Sequence, residues 1–143
     1  MSITQRNATR NQSTADYKNK CIFLFDNRFR EENLVLSEPE EGEADNEAVE
    51  GKLVVRNGAD VSLATSDDLE NIIGILKSEE PFEVTEDGIG VNICTKGTID
   101  ETGLVLPEGV TLSTNVDGRS LRDYLEQLGF HLENVVEHTD FEQ

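Results

Sequence analysis

Tryptophan is absent from this 143-residue chain, methionine occurs once, cysteine and histidine twice each, and proline three times. Each scarcity excludes something. Cys21 and Cys94 lie far apart, each within an apolar segment. Buried free thiols are therefore expected, rather than a disulfide or a thiolate metal site. The two histidines, His131 and His138, stand near Glu133, Glu137 and Asp140. On a helix they would share a face, but no His-Glu-x-x-His pattern accompanies them, so an exposed polar surface is the expectation and no metal is assigned. No apolar run approaches the roughly 18–20 residues that a membrane span requires, so no membrane partner is expected. The first residues also lack the basic-then-apolar order of a secretory signal, which points to synthesis in a cytoplasm. Without secretion, the formal sequons Asn7-Ala8-Thr9 and Asn11-Gln12-Ser13 have no consequence.

Catalytic signatures are missing in the same way. There is no Gly-x-Ser-x-Gly elbow and no Gly-x-x-x-x-Gly-Lys-Ser/Thr loop to cradle phosphates. Gly88-Ile89-Gly90 supplies two glycines of a dinucleotide fingerprint without the third or a following helix, and a hairpin turn accounts for it. Lys96 invites comparison with a biotinyl or lipoyl lysine, yet Thr95 and Gly97 do not match the neighbours such lysines have. The expectation is a non-enzymatic protein with no catalytic, cofactor-binding or metal residue.

What the chain has in excess is acid. Its 30 Asp and Glu outnumber 12 Lys and Arg, for a net charge of −18. The imbalance is uneven: residues 1–30 carry six basic against two acidic side chains, and the remainder six against twenty-eight. A basic arm on an acidic body repels nucleic-acid phosphates from the body and suits the arm to an acidic surface.

The chain divides into three parts. Residues 1–30 form a polar, basic arm, flexible over residues 1–16 and ending in a strand near Lys20–Phe25. Residues 31–50 hold a strand at Asn33–Leu36 and an acidic loop, with seven of the thirteen residues from Glu38 to Glu50 being Asp or Glu. That loop lacks the alternating oxygens and closing Glu of a calcium site. Residues 51–143 read as a β-rich body. Lys52–Val55 precedes the turn signal Asn57-Gly58, and Val61 and Leu63 alternate with polar residues. Leu69–Lys77 is β-branched around Gly74, where a bulge or a close backbone approach is expected. Phe82–Thr85 and Ile89–Thr95 flank Glu86-Asp87-Gly88 as a hairpin, with Val91, Ile93 and Thr95 on one half-buried face. Lys96-Gly97 is a turn, and Leu104–Pro107 closes the series. This spacing predicts a mainly β fold, a small barrel or sandwich.

One helix is predicted, about 118–128, because Leu121, Tyr124, Leu125 and Leu128 form a stripe at helical spacing. Asp117 or Ser120 caps its start and Gly129 its end. Residues 130–137 add a last strand, and an acidic tail follows.

The order Lys52-Leu53-Val54, Asn57-Gly58, Gly74-Ile75-Leu76, Lys96-Gly97-Thr98 and Leu104-Val105-Leu106-Pro107 resembles the lambda-type head decoration (capsid cement) proteins of tailed bacteriophages. The resemblance covers residues 52–107; the acidic loop and the last quarter of the chain have no counterpart in it. It implies a mostly β domain that assembles as a homotrimer on the outer surface of the expanded capsid, bound to the major capsid protein. It also implies an N-terminal arm that orders by adding to the capsid protein's sheet, a mode in which backbone hydrogen bonds supply affinity and alternate side chains specificity. The residues assigned to capsid binding on this basis are Arg6, Arg10, Tyr17, Lys18, Lys20, Ile22 and Leu24. The alternative reading is an acidic nucleic-acid mimic that inhibits a DNA-binding protein. It requires carboxylates at phosphate-like spacing on one face and leaves the basic arm without a role.

Overall fold

The computed structural model describes residues 21–36 and 46–134. Arg6, Arg10, Tyr17, Lys18 and Lys20, most of the acidic loop, and the tail with His138 lie outside the described residues.

The fold is mainly β, with one α-helix near its C-terminal end. Its strands in chain order are β1 (Phe23–Leu34), β2 (Glu47–Ala48), β3 (Leu53–Asn57), β4 (Asp60–Leu63), β5 (Ile72–Lys77), β6 (Phe82–Glu83) and β7 (Ile89–Asp100). After them come β8 (Asn115–Val116), β9 (Arg119–Ser120), the helix α1 (Leu121–Leu128) and β10 (Phe130–Glu133). The main sheet runs β1-β4-β3-β5-β7-β10, and β1 pairs a second time, with β7. That second pairing closes β1, β4, β3, β5 and β7 into a ring, leaving β10 as a branch alongside β7. Of the barrel and the sandwich that the turn spacing allows, the barrel is the observed architecture.

Two strands carry the closure. β1 is one continuous strand where the sequence suggested two short ones. It lies antiparallel to β7 from Phe23 opposite Ile99 to Leu34 opposite Ile89, with register shifts between Phe23 and Phe29. Its other edge meets β4 only at Leu34, opposite Val61. Continuity is possible because Asp26, at φ 53°, absorbs the irregularity in the left-handed region that Asp tolerates better than most residues. β7 is the strand all others lean on: antiparallel to β1 on one side, and on the other antiparallel to β5 and then parallel to β10.

The core divides between the two faces of this sheet. Leu53, Val55, Ile72, Ile75, Cys94 and Ile99 join one cluster with Leu121, Leu125 and Phe130. Val54, Val61, Leu63, Leu76, Val91 and Ile93 form another with Leu34, Ala48 and Val84. Alternate residues of a strand point to opposite faces, so β3, β5 and β7 are apolar on both. This overturns the single half-buried face expected of β7: Ile93 and Cys94 are adjacent, both fully buried, and belong to different clusters.

Local turn chemistry explains further differences. Asn57 pairs with Asp60, so the turn is Gly58-Ala59, with Gly58 first at φ 91°. Lys96-Gly97 is not a turn but the middle of β7, where Gly97 at φ 138° sits against Asn27 in the irregular part of the β1 ladder. Thr85–Gly88 does turn, with the Gly88 N–H donating to the Thr85 carbonyl at 3.0 Å. However, β6 pairs with β2 rather than with β7, so no hairpin forms there. The acidic stretch therefore ends in structure: Ala48 of β2 is fully buried. Leu104–Pro107 contributes a single bridge, Val105 beside Lys52, instead of a strand.

α1 ends where its sequence predicts but begins at Leu121 rather than near 118, because Arg119 and Ser120 pair as β9. Ser120 accepts a hydrogen bond from the Asp123 N–H at 3.2 Å, and Gly129 terminates the helix in the left-handed conformation. Leu121 and Leu125 are fully buried against the sheet. Burial of this kind stabilises by about 1.5–3 kcal/mol per side chain.

Candidate interaction surface

The described part of the expected binding segment starts with Ile22. Its side chain is 7% exposed, set between two glycines of the body. A Cβ on Gly103 would fall 2.0 Å from Ile22 Cγ2, and one on Gly51 would fall 2.2 Å from the Gly103 carbonyl oxygen. Only glycine leaves room for this contact at either position. The Asp100 N–H donates to the Ile22 carbonyl at 2.8 Å, fixing the backbone as well. Ile22, expected to face a capsid, is instead committed to the protein's own core. It pins the chain where residues 1–21 join the body. Leu24 is half-buried, and Cys21, expected to be buried, is exposed.

Beyond Ile22 the first half of β1 presents a different surface. Phe25 is 63% exposed and lies opposite Thr98, which in turn lies opposite His131 of β10. The next pair along the ladder is Arg28 opposite Lys96, both exposed. Directly opposed residues of paired strands project from the same face, so Phe25, Arg28, Lys96, Thr98 and His131 share one face of the β1-β7-β10 layer. Neither Arg28 nor Lys96 makes an ion pair with a described residue. Two carboxylates farther along the ladder are engaged elsewhere. Asp100 accepts from the Thr102 N–H at 3.1 Å and hydroxyl at 2.7 Å, and Glu133 lies 3.4 Å from His131 Nε2. Asp26 is the exposed acid between Phe25 and Arg28.

Three arginines elsewhere on the body contrast with this pair. Arg56 and Arg30 both meet Glu32, and Arg122 meets Glu101. On the other face of β1, Phe29 packs edge-on against Phe23 with ring centroids 5.3 Å apart, and Lys77 Nζ lies 5.2 Å from its centroid. Phe29 is thereby partnered, while Phe25 has no aromatic or cationic partner among the described residues.

No group of three or more metal-ligating side chains occurs among the described residues. The shallow depression at Arg119, Asp123, Glu126 and Gln127 on the outer side of α1 brings opposite charges together. Cys94 is a core residue: Asn27 Nδ2 donates to its sulfur at 3.6 Å, its thiol donates to the Lys96 carbonyl at 3.2 Å, and burial raises its pKa.

The five sequence elements of the decoration-protein resemblance occupy one connected region. Leu53 and Val54 pair with Ile75 and Gly74, Asn57-Gly58 opens the β3–β4 turn, Lys52 bridges Val105, and Lys96–Thr98 lies in β7 beside β5 and β10. The surface residues Phe25, Arg28 and His131 lie outside those elements. In the sequence Phe25 is only the end of an apolar run before Asp26, and its pairing with β7 is not visible there. Compared with models of known protein families and with curated proteins, the chain gives no match.

Proposed function

We propose that this protein is a structural component of a tailed-phage virion. In this reading it is a decoration protein that binds the outer surface of the expanded capsid as a homotrimer and stabilises it, its N-terminal arm adding to the major capsid protein's sheet. The observation that carries the proposal is the seat of Ile22 between Gly51 and Gly103. A basic, polar segment is attached at a fixed point to a closed barrel, so strand addition by the arm transmits its binding energy to a rigid body. Arg28 and Lys96 extend the arm's charge onto that body. The mechanism is mass action: a protein that binds the expanded lattice better than its precursor shifts the equilibrium toward the expanded form. Three arms on one trimer raise the effective concentration of the second and third contacts.

The nucleic-acid mimic is the weaker reading, because an opposed pair of unneutralised cations is the reverse of a phosphate-like array.

Co-sedimentation with expanded capsid shells, together with solution mass by light scattering, tests the proposal. Saturable pelleting and a mass of three times 15.9 kDa are expected. Removing residues 1–20 should abolish pelleting while leaving thermal unfolding unchanged. Pelleting of the truncated protein at full occupancy overturns the role of the arm, and a monomer that ignores the shells overturns the proposal.

A further inference from the structure

We infer that the face of β1 and β7 around Phe25, Arg28 and Lys96 binds an extended acidic segment of a partner protein, one that carries an apolar side chain among its carboxylates. The inference takes from the proposed function only that this end of the protein is its attachment surface. The charge argument is local. Around these two cations the body is strongly acidic, yet at physiological ionic strength the Debye length is about 8 Å, so a ligand on this face responds mainly to groups within that range. Arg28 and Lys96 stand directly opposite each other with no described counter-ion. Like charges opposed across a ladder are destabilising, and a ligand carboxylate between them would remove that repulsion.

Phe25 supplies the second half of the chemistry. At 63% exposed it is the most exposed large apolar side chain among the described residues. An aromatic side chain one ladder pair away from Arg28 and Lys96, with Asp26 between, suits a ligand that pairs carboxylates with an apolar contact. Backbone geometry favours an extended ligand. Between Phe23 and Asn33 the outer edge of β1 is unpaired among the described residues, since β4 meets this strand only at Leu34. A strand laid beside that edge would run past both Phe25 and Arg28, which stand three residues apart across the irregular part of the ladder. The register shifts between Phe23 and Phe29 and the left-handed Asp26 break up this edge, which discourages indiscriminate pairing and leaves the side chains to select the partner.

The test uses the full-length protein and a synthetic peptide alternating glutamate with leucine. A second peptide with lysine in place of glutamate and a single-stranded oligonucleotide serve as controls. Saturable binding of the acidic peptide alone is expected, weakening with added salt. Exchanging both cations (Arg28→Glu with Lys96→Glu) should lower affinity about tenfold or more, and Phe25→Ala should lower it with little change in the salt dependence. The milder pair Arg28→Gln and Lys96→Gln gives the same answer if charge reversal unfolds the protein. Equal binding of the lysine peptide, tighter binding of the oligonucleotide, or unchanged affinity in the glutamine pair overturns the inference. A protein that binds the acidic peptide but no capsid shell removes the proposed function and leaves this inference standing.

Discussion

A methyl group added to Gly74 would stand 2.5 Å from the carbonyl oxygen of Cys94 on the neighbouring strand. It would also come within 2.3 Å of Ile93 Cγ2. β5 and β7 therefore approach each other over a glycine that no other residue can replace without moving backbone. Gly74→Ala should destabilise the protein by about 1–3 kcal/mol, the usual range for overpacking a core. The midpoint of denaturant unfolding reads this directly, and an unchanged midpoint would mean that the two strands separate without cost.

The two thiols should differ sharply in reactivity. Cys21 is exposed, whereas Cys94 is fully buried and its pKa is raised by burial. At mildly alkaline pH a thiol reagent should modify one cysteine in the native protein and both after denaturation. The linkage has a definite sign. Native Cys94 keeps its proton above the ordinary thiol value of 9.0, where the unfolded chain releases it. Its contribution to stability is complete below that value and declines as pH rises through the alkaline range. Stability of wild type and Cys94→Ala compared across that range checks the sign: the wild type should lose more.

Arg28 and Lys96 make a prediction of opposite character. Replacing Lys96 by Gln should raise stability by about 0.2–1 kcal/mol, because it removes a like-charge pair from directly opposed positions. The gain should shrink in high salt. A loss of stability at low salt would show that the opposed charges do not repel.

Ser120→Ala should cost about 1 kcal/mol, since the serine oxygen is the acceptor for the Asp123 N–H at the start of α1. Asp117, the other candidate cap in the sequence, makes no cap here but lies at φ 52° in the β8–β9 turn, so Asp117→Asn, which tolerates that conformation, should leave the helix start and the melt intact. Thermal melts of the two variants side by side separate these roles.

These outcomes indicate where the sequence was legible. Signals confined to a few neighbouring residues are the legible ones: the leucine stripe of α1, its end at Gly129, Ser120 as one of two candidate caps, and a turn found one residue beyond Asn57-Gly58. Signals that depend on distant partners are not. Phe82–Glu83 and β7 flank a true turn, but β6 finds Glu47–Ala48 instead, a choice made by burial of Ala48 rather than by the turn. Gly97 looked like a turn residue because a glycine at positive φ serves a turn and an irregular ladder equally well. The interaction surface was least legible. Arg28 and Lys96 are far apart in the chain, and nothing local announces that they meet. The burial of Ile22 is illegible for a related reason: its place depends on Gly51 and Gly103, neither of which marks itself as a slot.

The long alignment of β1 with β7 has a mechanical consequence. A load applied at Ile22 along the axis of β1, toward the end at which Phe23 faces Ile99, acts on the ladder as shear. Its hydrogen bonds then resist together, with the Ile22 seat ahead of them, instead of parting one after another as in peeling. The attachment is strongest against tension along the strand and weakest against a force that lifts β1 sideways from its unpaired edge.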